Sequence, residues 1–307
     1  MTSTGIAVVT GAAGFIGSHM VDLLLAEGLT VRGLDSLVGG HRENLVQHAA
    51  NPRFSLEARD VREVRPGDAL FAGADYVFHF AGIGDIVPSI ERPLEYFSTN
   101  VQGTVCALEA ARHAGARAFV YAASSSCYGL AEELPTTERA AISSQYPYAL
   151  SKYLGEQAVL HWGHVYQLPV VSMRIFNAYG PRVRTTGAYG AVFGVFLAQK
   201  VHGRPFTVVG DGTQRRDFVF VTDVARAFWL AATSGRGGEV YNVGAGRPQP
   251  INRLVELLGG EAIRVPKRPG EPDCTWADTT KIERELGWQP RVSFEEGVAR
   301  MLEDIER

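Results

Sequence analysis

The sequence is poor in cysteine and has no excess of charge of either sign. Its three cysteines, Cys106, Cys127 and Cys274, are far apart and form no C-x-x-C pair, which argues against a disulfide framework or a metal site and is typical of the reducing cytosol. The 30 basic residues are balanced by 33 acidic ones, so no positive field is available to hold a nucleic-acid backbone. Nucleic acid is therefore not an expected partner.

Long apolar runs are also missing. The hydrophobic stretches are interrupted by Gly, Ser or Thr, and no basic segment precedes an apolar one near the first residues, so we expect neither a membrane span nor a signal peptide. Core-forming residues are abundant, because 46% of the 307 residues are hydrophobic. That is enough for one large core and a second, smaller one.

The first half of the chain alternates short runs of β-branched and aromatic residues with longer helical patterns. This alternation predicts βαβ units around a parallel sheet, that is, a doubly wound α/β (Rossmann) fold. Strands are predicted at 6–10, 30–34, 54–58, 76–80, 118–122 and 170–175, and helices at 18–26, 101–113 and 148–165.

After Phe176 the sequence changes to loops rich in glycine, proline and arginine. Short helices are predicted at 191–201, 251–258, 280–285 and 294–305, and residues 218–243 have the pattern of strand, helix and strand. We therefore predict a Rossmann domain of residues 1–176, rejoined by 218–243, and a smaller C-terminal α+β lobe of residues 177–217 and 244–307.

A glycine-rich turn follows the first predicted strand and opens the first helix. It reads Gly11-Ala12-Ala13-Gly14-Phe15-Ile16-Gly17, and its glycines permit a tight turn and close approach of the backbone to a pyrophosphate. Asp35, after the second strand, is placed to accept from ribose hydroxyls and to repel a 2′-phosphate. The turn therefore predicts NAD rather than NADP, although Arg32 or Arg42 could pair with such a phosphate.

Tyr148 and Lys152 are four residues apart, so they lie on one face of the helix predicted at 148–165. A nearby ammonium stabilises a phenolate and lowers the tyrosine pKa from about 10 towards neutral, as a general base requires. Ser124 lies at the end of a buried strand, where its hydroxyl is expected over the carboxyl edge of the sheet. On spacing alone, the tyrosine and lysine would equally fit two exposed side chains.

Further motifs follow in order along the chain. They are Asp60-Val61, His79-Phe80-Ala81-Gly82, residues 93–100 followed by Gly103-Thr104, SSSCYG at 124–129, YALSK at 148–152, RIFNAYGPR at 174–182 and RDFV at 216–219. With the glycine turn and Asp35, these motifs resemble the extended short-chain dehydrogenase/reductase family. Within that family, the chain is most similar to NAD-dependent nucleotide-sugar epimerases and dehydratases, closest to the UDP-glucose 4-epimerase type, over nearly its whole length.

The resemblance implies a role for individual residues. Ser124, Tyr148 and Lys152 are then the catalytic residues, and the substrate is a UDP-sugar. The implied NAD contacts are Gly11, Gly14, Phe15, Ile16, Gly17, Asp35, Asp60, Val61, Phe80, Ala81, Gly82, Asn100, Tyr148 and Lys152, with Asp60 and Val61 at the adenine end. The implied substrate contacts are Ser124, Ser126, Tyr148, Asn177 and Arg216 (both on the diphosphate), Arg268 (on the nucleotide) and Thr275.

Two positions depart from the family pattern. Gly82 stands where a second alanine is usual, and we expect little effect from it. Ser126 stands where the dehydratases and the uronate decarboxylase of the family carry a carboxylate, and a serine hydroxyl is a poor group for removing a carbon-bound proton. Epimerisation is therefore favoured over dehydration, with an acid from Asp85 or Glu91 as the remaining route to elimination.

Position 275 bears on the choice of sugar. In the 4-epimerase pattern a bulky aromatic residue here excludes acetylated hexoses, so Thr275 predicts that UDP-GlcNAc and UDP-GalNAc are handled as well as UDP-Glc and UDP-Gal, unless Trp276 fills the space. Arg182, Arg184, Thr185 and Thr186 offer a cation and hydroxyls that would suit the carboxylate of a uronic acid, or simply a solvated loop.

The same sequence also bears on other functions and on partners. The pair His161 and His164 lacks a third ligand, so no metal is expected. All three catalytic positions are retained, which disfavours a non-catalytic NAD sensor, whereas a net reductase uses the same residues and stays open. The family commonly forms homodimers through the helices at 101–113 and 148–165. The apolar residues available for either that contact or the sheet are Val101, Val105, Leu108, Leu154 and Val159.

Overall fold

The secondary structure is that of an alternating α/β chain, and the computed structural model describes residues 5–183, 192–266 and 272–305. The strands are β1 (Ile6–Thr10), β2 (Thr30–Asp35), β3 (Phe54–Ala58), β4 (Tyr76–His79), β5 (Ala118–Ser124), β6 (Val170–Ile175), β7 (Asn177–Tyr179), β8 (Phe206–Val209), β9 (Arg215–Arg216), β10 (Phe218–Phe220), β11 (Glu239–Val243), β12 (Gln249–Pro250) and β13 (Ala262–Val265). The helices are α1 (Phe15–Ala26), α2 (Ile86–Glu91), α3 (Pro93–Phe97), α4 (Gly103–Ala114), α5 (Pro147–Tyr166), α6 (Val192–Val201), α7 (Val221–Thr233), α8 (Ile251–Leu258), α9 (Thr280–Leu286) and α10 (Phe294–Ile305).

Seven strands form the central sheet, in the order β3-β2-β1-β4-β5-β6-β11. The pairs β1–β2, β2–β3, β1–β4 and β4–β5 are parallel, which confirms the doubly wound α/β fold. Strands β1, β3 and β6 have the predicted bounds, whereas β2 and β5 extend by one and two residues and β4 ends one residue early. The predicted strand, helix and strand at 218–243 are β10, α7 and β11.

The register of the sheet brings three side chains together at its carboxyl end. Thr10 of β1 is paired with His79 of β4, and His79 is paired with Tyr121 of β5. Residues opposite each other on parallel strands point to the same face, so a hydroxyl, an imidazole and a phenol form one row. All three side chains are fully buried.

Two helices begin at residues other than the predicted ones. Helix α1 begins at Phe15, not at 18, because Gly14 occupies the N-cap position with extended backbone angles. The segment predicted as one helix from 101 consists of a π-helical turn, Ser98–Gln102, continued by α4. Such turns mark functional positions more often than chance, and Asn100 lies inside this one.

Contacts divide the chain into two compact units. The first comprises residues 1–124, 146–174 and 225–241, and the second comprises 125–145, 175–224 and 242–307, so 125–145 and 218–224 group with the second unit. That unit contains the two-stranded ladders β7–β10, β8–β13 and β9–β12. Its core is strongly aromatic, with the ring of Tyr179 stacked on Phe193 at 4.4 Å between centroids and Phe218 stacked on Phe294 at 5.2 Å.

Two further observations concern residues 5–183, 192–266 and 272–305 only. No helix there is both long enough and apolar enough to cross a bilayer, and no three His, Cys, Asp or Glu side chains are grouped as metal ligands. The three cysteines are free thiols. The cytosolic location expected from the cysteine content stays a prediction.

Candidate active site

The glycine turn at the end of β1 has the geometry that close backbone approach requires. Gly11 has a φ of 69°, a left-handed value that suits glycine, and its N–H donates to the carbonyl of Leu34 at 2.7 Å. A Cβ on Gly11 would stand 2.7 Å from the Ala81 nitrogen, and one on Gly17 only 2.0 Å from the Gly11 oxygen. The turn is therefore a cradle that any side chain would fill, as expected where a pyrophosphate meets the start of a helix.

We expect Gly17→Ala to disrupt this turn. The added methyl cannot coexist with the Gly11 oxygen, so the turn or the start of α1 must move, and retention of NAD should fall by at least about 10-fold because the phosphate cradle is lost. Cofactor content after purification and the midpoint of thermal unfolding measure the effect. Gly237→Ala is the matched control, since its Cβ meets only ordinary contacts with Pro169; equal losses in both variants would contradict the prediction.

Asp35 is held firmly at the end of β2. Its two carboxylate oxygens accept from the N–H groups of Ala13, at 2.9 Å, and Leu37, at 2.8 Å, and a Cβ on Gly40 would lie 2.7 Å from both oxygens. Arg32, which the sequence left as a possible phosphate partner, instead donates to the carbonyls of Ala72 and Leu70. The fixed negative charge beside the turn fits a ribose diol and opposes a 2′-phosphate.

The expected adenine end of the site is organised around an ion pair. Asp60 caps the short helical turn Val61–Glu63, and its carboxylate accepts from the Arg62 backbone at 2.8 Å and from the Arg62 guanidinium at 2.6 and 2.9 Å. These bonds with Arg62 hold the pKa of Asp60 below its usual value. Val61 is buried against Gly103, where a Cβ would lie 2.7 Å from its methyl. Contact of Asp60 and Val61 with adenine stays a prediction.

Lys152 is buried on the inner face of α5. Its Nζ lies 4.5 Å above the ring of Tyr121, whose hydroxyl donates to the Lys152 carbonyl at 3.1 Å. Burial lowers the pKa of Lys152 to about 7, with the Glu156 carboxylate acting in the opposite direction. Glu156 is itself buried and paired with Arg174 at 2.6 Å. A cation over an aromatic face in a dry site is a strong and short-ranged source of positive field.

A chain of hydrogen bonds runs from the end of β1 to the π-helical turn. His79 lies between Thr10, 2.7 Å from its Nδ1, and Thr104, 2.9 Å from its Nε2. Burial and the charge of Lys152 lower the pKa of His79 to about 3, so the ring is neutral. Thr104 donates to the Asn100 carbonyl at 2.7 Å; it therefore accepts from Nε2–H, and Thr10 donates to Nδ1.

Asn100 connects this chain to the first turn of α5. Its Nδ2 donates to Ser151 Oγ at 2.9 Å and to the Ile83 carbonyl at 3.0 Å, while its Oδ1 accepts from the Ile83 N–H at 2.8 Å. Ser151 in turn donates to the carbonyl of Tyr148 at 2.8 Å. The side chain of Asn100 thus fixes both the backbone that carries Tyr148 and the segment that follows Gly82.

The departure at Gly82 lies next to these groups. A Cβ there would stand 2.9 Å from Asn100 Oδ1 and 3.7 Å from Lys152 Nζ. Little effect is expected from the glycine itself, but a side chain at this position would contact Asn100 and approach the Lys152 ammonium.

Tyr148 is half-buried near the start of α5 and packs edge-on against Tyr96, with ring centroids 6.4 Å apart. Tyr96 donates to the Gly84 carbonyl, and burial together with the charge of Asp85 raises its pKa to about 12, so it stays protonated. Asp85 precedes α2 with a φ of 73°, and Glu91 ends α2 in an exposed position. Ser124 is the half-buried last residue of β5. Tyr148, Lys152, Asn100 and Ser124 all belong to the first unit.

The predicted diphosphate residues belong to the second unit. Asn177 begins β7, which pairs with β10 directly after Arg216 and Asp217. Asp217 is fully buried and accepts from the N–H groups of Ala245, Gly246 and Ala277. Burial raises its pKa to about 6 against the effect of those bonds. Asp217 thereby anchors two other chain segments, at 245–246 and at 277, beside Arg216.

A cavity of about 340 Å³ opens beside Arg216, with Val209, Asp211, Gln214 and Asp273 also in its lining. Arg216 is 8% exposed. A guanidinium beside a cavity with polar walls can bind phosphate oxygens in a bidentate way. Arg268, which was predicted to contact the nucleotide, lies outside the described residues, as do Arg184, Thr185 and Thr186, the alternative site for a uronic-acid carboxylate.

Four positioning residues were missed by the sequence analysis: Thr10, Tyr121, Ser151 and Asp217. Each is a polar or aromatic residue at a buried position: Thr10 and Tyr121 lie in strands of the sheet, and Ser151 and Asp217 lie inside motifs in which other residues were assigned. Strand register supplies the missing information, because it alone pairs Thr10 with His79 and His79 with Tyr121.

Known proteins match this chain over nearly its whole length. The family described as NAD dependent epimerase/dehydratase matches residues 7–244. A UDP-glucose 4-epimerase from Mycolicibacterium smegmatis is 36% identical over 305 residues, or 96% of this chain and 97% of that protein. A solved UDP-N-acetylglucosamine 4-epimerase from Methanobrevibacter ruminantium M1, in complex with UDP-N-acetylmuramic acid, is 29% identical with a TM-score of 0.93, covering 100% of this chain and 99% of its own.

Dehydratases are similar as well. A solved dTDP-glucose 4,6-dehydratase from Streptomyces venezuelae, with NAD bound, is 32% identical with a TM-score of 0.89, and the match covers 98% of this chain and 97% of that one.

Proposed function

Because the chain belongs to the NAD-dependent epimerase/dehydratase family, with NAD as its cofactor, we propose that it is a UDP-sugar 4-epimerase acting through a transient 4-keto sugar. The observation that carries the proposal is the placement of Tyr148 and a buried Lys152 four residues apart on α5, while Ser126 stands where the dehydratase pattern has a carboxylate. A site with a phenol as base and a serine in place of that carboxylate suits reversible oxidation of an alcohol better than elimination of water.

Each residue of the candidate site has its own role in the proposed reaction. The Lys152 ammonium stabilises the Tyr148 phenolate, which removes the proton of the sugar C4 hydroxyl, and Ser124 orients that hydroxyl or relays the proton. Bound NAD supplies reversible hydride exchange with C4. Tyr148 then returns the proton after the ketone has presented its other face. Asn100 and Ser151 hold the start of α5, so the phenol keeps its place through both half-reactions.

The substrate is held by its nucleotide rather than by its hexose. Arg216 and Asn177 bind the diphosphate, since a buried guanidinium and an amide pair well with phosphate oxygens. Few fixed contacts to the hexose are then needed, which allows the ring to turn between half-reactions. Thr275 leaves room for a 2-acetamido group, so UDP-GlcNAc and UDP-GalNAc are substrates beside UDP-Glc and UDP-Gal. Trp276, which could have filled that space, donates to the Gly246 carbonyl at 3.0 Å.

UDP-glucuronate 4-epimerisation is the second candidate. Arg182 directly follows the Gly180-Pro181 pair and has a φ of 63°, a left-handed value that is uncommon outside glycine and that marks functional loops more often than ordinary ones. A cation there suits a C6 carboxylate.

A homodimer is also proposed, through α4 and α5. Leu108 and Val159 cannot contribute to the dimer interface, because both are fully buried in the core of their own unit. Leu154 is 37% exposed and its neighbour Leu150 is 40% exposed, so these two carry the apolar contact. Light scattering at concentrations from about 1 to 100 μM tests the state, and the dimer should dissociate in a Leu150→Glu, Leu154→Glu variant because burying carboxylates is unfavourable.

Proton NMR of the anomeric region tests the function. The purified protein, with no added NAD, is mixed with UDP-Glc, UDP-GlcNAc and UDP-GlcA in separate tubes. We expect the C4 epimer to form with UDP-Glc and UDP-GlcNAc, since retained NAD is regenerated in each cycle. Turnover of UDP-GlcA alone would favour the uronate epimerase, and keto or dehydrated products in all tubes would contradict an epimerase.

A further inference from the structure

We propose that the hydroxyl of Thr275 sets the orientation of the Asn177 amide, and that position 275 therefore controls affinity for the diphosphate of every substrate in addition to the space left for the sugar. This inference rests on the proposed function, because it assigns Asn177 to the diphosphate. It concerns a hydrogen bond, whereas the effect expected from the sequence at position 275 was one of volume alone.

Three hydrogen bonds close a ring between three segments of the second unit. The N–H of Asn177 donates to the Asp217 carbonyl at 3.1 Å. The N–H of Asp217 donates to Thr275 Oγ1 at 3.1 Å. The Thr275 hydroxyl donates to Asn177 Oδ1 at 2.9 Å, which returns the ring to its first residue.

The donor and acceptor roles in this ring of hydrogen bonds decide which end of the Asn177 amide is left for a ligand. A hydroxyl has one proton, and among the described residues the hydroxyl of Thr275 has no acceptor other than Asn177. That acceptor must be the amide oxygen, so Nδ2 with its two protons points away from Thr275. The described residues provide no acceptor for these protons. An amide that presents N–H groups suits an anion, whereas the flipped amide would present an oxygen and repel it.

The same residue also holds the backbone on both sides of Arg216. The N–H of Thr275 donates to the Arg215 carbonyl at 3.1 Å, and its hydroxyl accepts from Asp217. Arg216 lies between these two bonds in sequence and lines the cavity described above. Thr275 is therefore a positioning residue for both predicted diphosphate contacts, Asn177 through its amide and Arg216 through its backbone.

Thr275→Val separates the hydroxyl from the volume, because valine has nearly the same shape but cannot donate. We expect the dissociation constant of UDP, measured by calorimetry on the NAD-loaded enzyme, to rise at least about 5-fold, since a polar group is left without its partner. The KM of UDP-Glc and UDP-GlcNAc should rise by the same factor, with kcat changed less than about 2-fold because the chemistry lies elsewhere. Thr275→Ser, which keeps the hydroxyl, should bind UDP within about 3-fold of the parent enzyme.

Asn177→Asp provides a second test if the valine variant folds poorly. Its carboxylate still accepts from Thr275, but an oxygen replaces the Nδ2 donor, so UDP should bind at least about 10-fold more weakly than to the parent enzyme. Unchanged UDP binding in Thr275→Val, or a change only in the ratio of acetylated to plain sugars, would overturn the inference. If the parent enzyme binds UDP but epimerises no sugar, the proposed function fails, and the ratio of UDP dissociation constants still decides the role of Thr275.

Discussion

Tyr148→Phe is expected to lower kcat by about 10²–10⁴-fold, the usual contribution of a general base. The phenol is the proposed base for the C4 hydroxyl proton, and Phe keeps the ring that packs against Tyr96. Binding of UDP should change by less than about 3-fold, because UDP lacks the hexose on which the lost oxygen acts. Epimer formation followed by NMR, with UDP calorimetry alongside, measures both quantities.

Tyr166→Phe is the matched control for that variant. Tyr166 is on the same helix, is 46% exposed and contacts Arg112 through its ring, so loss of its hydroxyl should leave kcat within about 2-fold. A Tyr148→Phe enzyme that keeps more than about a tenth of the parent activity would place the proton chemistry on another residue.

Lys152→Met should abolish activity and at the same time stabilise the protein. Without the ammonium the Tyr148 phenolate has no cation beside it, and the rate should fall by at least about 100-fold. Burial of Lys152 lowers its pKa to about 7, so folding forces a charged group into a dry site. A methionine of similar length fills the same space without that charge, which is the usual conflict between activity and stability at a catalytic residue.

The pH dependence of the unfolding midpoint distinguishes this explanation from a simple packing effect. Between pH 7 and the ordinary lysine value near 10.5, the unfolded chain holds more protons at this residue than the folded one, so the stability of the parent protein rises with pH. The stability advantage of Lys152→Met should therefore be full below pH 7 and shrink as the pH rises above 7. Each kcal/mol of unfolding free energy corresponds to a shift of about 2–4 °C in the unfolding midpoint. A variant less stable than the parent at pH 6.5, or an advantage that grows with pH, would contradict the account.

The sheet could be predicted from the sequence because most of its strands are buried on both faces, with β3 at the edge as the exposed exception. Strands β1 and β6 begin and end on β-branched residues, and the glycine turn after β1 stands in its expected place. The start of α1 was three residues wrong because Gly14 caps the helix without a side chain. The π-helical turn around Asn100 has no signal in hydrophobic periodicity, since one extra residue per turn is invisible in so short a segment.

The residues of the candidate site could be picked out from the sequence, but the contacts that hold them could not. Tyr148 and Lys152 share a helix face by spacing alone, and Asp35 follows a strand end. What holds them depends on strand register and on contacts between residues far apart in sequence, such as Thr10 with His79 and Asn100 with Ser151. Thr275 was assigned by size, whereas the structure shows that its hydroxyl is bonded to Asn177 and Asp217. Periodicity also could not tell that Leu108 and Val159 face the core.

Return of the same hydrogen to C4 distinguishes epimerisation most directly from dehydration and net reduction. UDP-glucose deuterated at C4 is incubated with the purified enzyme in ordinary water and without added NAD, and the product is examined by NMR and mass spectrometry. We expect the C4 epimer with deuterium still at C4 and none in the water. Deuterium at another carbon of the sugar, lost to solvent or carried away on released cofactor would contradict it.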